Sequence, residues 1–196
     1  MRTAAAALVL LGMLTGCTSD QVPVPDAGPT GPCAAARELP PDGSQEQRLQ
    51  ADLDGDARAD EVVSWVRNGE RVAQAWLATG QNAVPEALFD GDLLAAPDLD
   101  GDGRAEVLAQ DGDEGAGFVL DGCRLVPIGI AGTERDWTFA HGPGAALLCR
   151  PQGVVEEAVT TGPETVRRAW QVSDGTVSGA DPVGSGPVTR PGIACS

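Results

Sequence analysis

The stretch Ala51-Asp52-Leu53-Asp54-Gly55-Asp56-Ala57-Arg58-Ala59-Asp60-Glu61-Val62-Val63 reads as a tight acidic loop running into a strand. It returns as Pro97-Asp98-Leu99-Asp100-Gly101-Asp102-Gly103-Arg104-Ala105-Glu106-Val107-Leu108, offset by 46 residues and without a gap through Asp60 and Glu106. A period of this length points to a repeat architecture. A second element follows each copy. Ala75-Trp76-Leu77-Ala78-Thr79-Gly80 matches Gly117-Phe118-Val119-Leu120-Asp121-Gly122, each a short apolar strand ending in a turn. A third copy is fainter. His141-Gly142-Pro143-Gly144-Ala145-Ala146-Leu147-Leu148-Cys149 takes the place of the acidic loop and its following strand. Ala169-Trp170-Gln171-Val172-Ser173-Asp174-Gly175 then repeats the second element. The third copy keeps strands and lacks acids, so the fold needs the strands and the acids serve an additional purpose.

Around these repeats, short apolar runs are bounded by Gly, Asn, Asp and Pro. Val62-Val63-Ser64-Trp65-Val66, then Asn68-Gly69, then a run from Val72 to Leu77 predicts a hairpin. The β-branched content of Val154-Val155-Glu156-Glu157-Ala158-Val159 favours a strand there. The 26 glycines and 15 prolines leave little room for long helices. The expected class is all-β, built of consecutive hairpins over residues 33–196.

The acidic loops have the oxygen spacing of a hard-cation site. Positions 1, 3, 5 and 9 are Asp52, Asp54, Asp56 and Asp60 in the first loop, and Asp98, Asp100, Asp102 and Glu106 in the second. Calcium takes six to eight oxygens, commonly alternating carboxylates plus a backbone carbonyl at position 7. Those carbonyls belong here to Arg58 and Arg104. Four crowded carboxylates repel one another unless a cation sits among them. An EF-hand is excluded, because position 12 is Val63 or Ala109 where that motif needs a bidentate Glu. Ala57 stands where the second loop has Gly103, a position expected to need a positive φ, so strain is expected in the first loop. Asp-Gly turns also occur at Asp90-Gly91, Asp111-Gly112, Asp121-Gly122 and Asp174-Gly175, but without the alternating acids.

The DxDGDGRAE pattern running into a strand resembles the FG-GAP, or VCBS, repeats. That resemblance implies a short β-propeller-like domain of about three hairpin-rich repeats, with calcium in a loop between two strands of each blade. It carries ligand roles onto Asp52, Asp54, Asp56, Asp60, Asp98, Asp100, Asp102 and Glu106 alone. The Phe-Gly-Gly-Ala-Pro signature is absent, and three repeats are too few to close a seven-bladed ring. A partial propeller, a small barrel and a self-associating fragment stay open.

Met1-Arg2-Thr3 followed by an apolar run from Ala4 to Leu14 predicts a secretory leader over residues 1–16. Its end, Leu14-Thr15-Gly16-Cys17, resembles the bacterial lipobox, which implies cleavage before Cys17 and lipidation of its thiol. The expected location is then outside the cytoplasm, held to the cell membrane by acyl chains. Residues 17–32 hold the lipidated cysteine and a Pro-rich tether that predicts a semi-rigid spacer. Beyond Cys17 lie Cys33, Cys123, Cys149 and Cys195. An even number in an exported chain predicts two disulfides in one of three pairings. Cys33–Cys195 with Cys123–Cys149 is the expectation adopted, since it ties the domain ends.

Twenty-nine acids against 13 arginines give a net charge of −16, which argues against nucleic acid as a partner. It argues equally against docking on anionic lipid by charge. One histidine, His141 in His-Gly-Pro-Gly, has no partner for catalysis and reads as a turn residue. Ser185 sits in a Gly/Pro-rich stretch and reads as loop. Trp76 and Trp170 occupy equivalent repeat positions and are expected in the core. Trp137, beside Arg135 and Asp136, is the expected surface tryptophan, suited to a sugar or a protein partner. The leading expectation is a calcium-stabilised binding or scaffold module at the cell envelope, with a protein or carbohydrate partner and no catalytic residues. Two other readings stand beside it: an extracytoplasmic polysaccharide hydrolase using a carboxylate pair, and an accessory subunit completing a propeller with another chain.

Overall fold

The computed structural model describes residues 33, 35–78, 83–84, 87–88, 91–184 and 191–195. The leader, Cys17, the tether and Ser185 lie outside the described residues. Among those described, the only helical element is a single 3-10 turn, Pro151–Gly153; everything else regular is strand. The all-β expectation holds.

Three antiparallel meanders follow one another along the chain. In the first, β1 (Gln47–Ala51) pairs with β2 (Asp60–Arg67), β2 with β3 (Glu70–Trp76), and β3 with β4 (Ala87–Leu88). Asn68 and Gly69 join β2 to β3 with φ of 56° and 89°. Positive φ at both positions matches the right-handed strand twist, as expected of an Asn-Gly hairpin. In the second sheet, β5 (Asp92–Ala95), β6 (Val107–Asp111), β7 (Glu114–Asp121) and β8 (Arg124–Pro127) run in order. The chain then contributes β9 (Gly129–Ile130) to the third sheet, and β10 (Thr138–Ala140) returns to pair with the start of β7. The third sheet has the order β15-β11-β12-β13-β14-β9, built from β11 (Ala145–Arg150), β12 (Val154–Thr161), β13 (Glu164–Ser173), β14 (Thr176–Gly184) and β15 (Gly192–Ala194).

Strand alternation packs the second sheet between the other two. Val107 and Ala109 of β6 face Val62, Ala73 and Ala75 of the first sheet. Leu108 between them faces Leu147, Val155 and Val172 of the third. A strand buried on both faces reads as a continuous apolar run, which is why Val107-Leu108-Ala109 shows no polar alternation. The far face of the first sheet is covered by residues 35–38. The Gln74 amide reaches the carbonyl of Ala36 and accepts from the amide of Glu38 and from the indole of Trp76. Arg37 and Arg48 lie over the Trp76 ring at 5.4 and 5.0 Å.

Three expectations change. Trp137 is fully buried (0% exposed) in the seam between the second and third sheets, against Phe139. Gly117 makes room for it: a Cβ there would lie 3.0 Å from the Trp137 ring and 2.7 Å from Ile128. The disulfides are Cys33–Cys123 and Cys149–Cys195, not the expected pairing. The domain ends do not meet, because the beginning packs in the first seam while the end lies on the third sheet. Residues 146–148 of β11 pair in parallel with 192–194 of β15, so Cys149 and Cys195 arrive side by side. The third repeat is also shifted by one strand. Ala145–Arg150 is the first strand of the third meander, so the place of the acidic loop falls on Pro151–Gly153, while His141 to Gly144 leads into it. Trp76 is buried and Trp170 packs against the second seam, as expected of the paired positions.

Candidate metal centre

Each acidic loop joins the first and second strands of a sheet, β1 to β2 and β5 to β6. Each folds around its own first aspartate. Asp52 accepts the amides of Gly55 at 2.7 Å and Ala57 at 2.7 Å. Asp98 accepts those of Gly101 at 2.7 Å and Gly103 at 3.0 Å. These turns need left-handed backbone. Gly55, Gly101 and Gly103 have φ of 80°, 81° and 90°, and Ala57 is held at 62°. A non-glycine residue there costs on the order of 1 kcal/mol. Ala57→Gly is therefore expected to raise stability by about 0.5–1 kcal/mol, read as a shift in denaturant midpoint at unchanged slope.

The residue after each first aspartate is the anchor that sequence reasoning missed. Leu53 and Leu99 are each 1% exposed and plug the two seams between sheets. The signal was present: both loops carry one leucine at the same place among their acids. The amide of Leu53 donates to Asp60 Oδ2 at 2.8 Å, and that of Leu99 to Glu106 Oε2 at 2.5 Å. The ninth residue of the loop thus turns inward from the start of the second strand and closes the loop over its leucine.

Carboxylate oxygens of Asp52, Asp54 and Asp60 converge to within 4.8 Å of one another, and so do those of Asp98, Asp100 and Glu106. Asp56 and Asp102 are outside these triads. Asp56 accepts the amide of Arg58, and Asp102 accepts the amide and the guanidinium of Arg104. The side chains of Arg58 and Arg104 point to Ala78 O and to Asp102; each stands in the loop at the position whose carbonyl the sequence assigned to a cation.

No family model matches this chain. No curated protein and no solved structure matches it either. The loops therefore stand on their own geometry.

The two inward acids differ. Asp60 is 1% exposed, and its second oxygen takes the amide of Ala78 at 2.8 Å. Glu106 is 5% exposed and, among the described residues, its carboxylate accepts from the Leu99 amide. Burial pushes the Glu106 carboxyl up to about 8, with the Leu99 amide pulling the other way and Asp100, Asp98 and Asp102 adding repulsion. Asp54 is also raised, first by burial, then by Asp60, Asp56 and Asp52, against the Asp56 amide. A cavity of about 210 Å³ lies beside Glu106, walled by Leu53, Ala105, Val119, Asp174 and Gly175.

The donor set is oxygen throughout, with no thiolate or imidazole in either triad. Such a set suits a hard divalent cation and not zinc or copper. At the second loop the inward carboxylate of Glu106 stands in a group of three acids whose mutual repulsion a cation would relieve. The acidic groups can hold a metal ion.

Proposed function

We propose that this chain is a calcium-stabilised β-repeat module, anchored by lipid at Cys17 to the bacterial cell membrane and acting in binding or scaffolding at the cell envelope. The observation that carries the reading is the duplication of one carboxylate triad at the same place in two consecutive sheets. Calcium is the favoured ion because the loops are largely exposed, carry glycine curls and place Arg58 and Arg104 at the spacing from which a backbone carbonyl would serve. The cation neutralises each loop and holds the leucine below it in the seam; it activates no water. Two disulfides fit an oxidising compartment outside the cytoplasm. Three consecutive meanders with a loop between the first two strands support the propeller-like reading, as three blades. The covered far face of the first sheet speaks against a further blade being added there by another chain.

The test is a thermal melt of the chain in millimolar calcium and in chelator. At a hundredfold excess over Kd, calcium is expected to stabilise by about 2.7 kcal/mol per site. For a domain of this size that raises Tm by about 5–10 °C. Asp100→Ala is expected to remove the second loop's share, whereas Asp102→Ala, whose carboxylate sits on Arg104, removes less. Equal melting with calcium and with chelator would reduce the loops to acidic turns and return the hydrolase reading to the front.

A further inference from the structure

The β12–β13 hairpin carries one face of the third sheet beyond the seam that buries it. Val155 and its cross-strand partner Trp170 pack in the second seam. Side chains alternate along a strand. Glu157, Val159 and Thr161 therefore continue that face on β12, opposite Arg168, Val166 and Glu164 on β13. Ala140, at the end of β10, borders these three pairs from the second sheet, and a cavity of about 300 Å³ opens there.

Two charged side chains face each other in this cavity. Glu157 is 6% exposed, and its Oε1 accepts the amide of Ala140 at 2.7 Å. Arg168 lies opposite on the next strand and is exposed. Among the described residues neither forms an ion pair, whereas Glu156, on the other face of the sheet, is bridged by both Arg150 and Arg167. A carboxylate this deeply buried is costly without a counter-charge. Beside this pair Val159 faces Val166, and Val166 is 50% exposed, one of two large apolar side chains left open among the described residues.

We propose that this cavity binds a small aliphatic zwitterion, of the class of a free α-amino acid such as leucine. Its ammonium group pairs with the Glu157 carboxylate, its carboxylate pairs with the Arg168 guanidinium, and its aliphatic side chain covers Val159 and Val166. Charge complementarity selects the class. A simple anion would leave Glu157 without a counter-charge and would meet Glu164 as well. A simple cation would face Arg168. Thr161 and Glu164 make the far end of the cavity polar, which favours a short side chain. The volume stands at the small end of the range for small-molecule sites. The site shares no residue with the two acidic loops and needs no cation.

Calorimetric titration of the full chain with L-leucine tests this, using wild type, Glu157→Gln and Arg168→Gln. Glutamine at position 157 keeps an oxygen for the Ala140 amide, and Arg168 is exposed, so the second variant serves should the first not fold. Wild type is expected to bind one equivalent. Each substitution is expected to weaken binding about tenfold, as for the loss of one hydrogen bond to a charged group. Isopentylamine and isocaproate, which each lack one of the two charges of leucine, are expected to bind wild type at least about tenfold more weakly than leucine does. No leucine binding by wild type at tens of millimolar would overturn the proposal and leave Glu157 and Arg168 to serve each other. Leucine binding that depends on only one of the two side chains, or on neither, would overturn it as well, as would equal binding of either truncated ligand.

Discussion

In chelator, the stability of the wild-type chain is expected to fall as pH rises from about 4.5 to about 8, and Glu106→Gln is expected to remove much of that fall. In the unfolded chain Glu106 ionises near its ordinary value of 4.5; in the fold, burial holds the proton until about 8. Between those values the native state binds the extra proton. Its stabilising contribution is therefore complete below about 4.5 and is lost as pH climbs through 8. The slope is at most about 1.4 kcal/mol per pH unit from this one group. Glutamine keeps an oxygen for the Leu99 amide and has nothing to titrate, so it stabilises the chelated protein at pH 8. A cation reverses the logic, because it favours the ionised carboxylate. In millimolar calcium the wild-type fall is expected to flatten, and Glu106→Gln is expected to lose part of its calcium response. Chemical denaturation at several pH values, with and without calcium, reads all of these. Parallel profiles for wild type and variant in chelator would show that Glu106 ionises normally in the fold.

Replacing both Cys33 and Cys123 by alanine is expected to cost about 4 kcal/mol, a large part of the stability of a domain this size. The bond closes a span of 90 residues, reaching from the entry segment to the β7–β8 turn. It crosses the first seam, where Cys33 packs with Leu120 and Leu125. Cutting it frees the segment that covers the far face of the first sheet, and with it the cover over Trp65 and Trp76. The Cys149–Cys195 bond spans 46 residues within one sheet, so its loss is expected to free β15 and leave the two seams in place. Urea denaturation of the two double variants compares them. An equal effect from both would mean that the entry segment stays in place without its covalent tie.

What was legible in the sequence was local. Asn68-Gly69 between two apolar runs specified its own hairpin, because the turn geometry depends on those two residues. The Val154–Thr161 strand followed from β-branched residues whose preference needs no distant partner. Both acidic loops announced their shape, since each first aspartate binds amides three and five residues on. Even the strain at Ala57 was visible by comparing it with Gly103.

The sequence by itself thus determined the class and the two loops; of the four acids it aligned in each, three meet, and Asp56 and Asp102 turn to Arg58 and Arg104 instead. Only the tertiary structure decided how sheets and cysteines come together. Trp137 looked exposed because Arg135 and Asp136 precede it, but its burial depends on the gap that Gly117 leaves on another strand. The disulfide partners depend on β15 choosing β11, a parallel pairing 46 residues apart that no local pattern encodes. The third repeat was misplaced by one strand because its short Pro151–Gly153 turn carries no acids to mark the register. The hydrogen bond from the Ala105 amide to the Asp52 carbonyl is likewise invisible in either loop alone. Local residues set dihedral angles and turns, whereas seams, bridges and contacts between loops arise only when whole sheets bury one another.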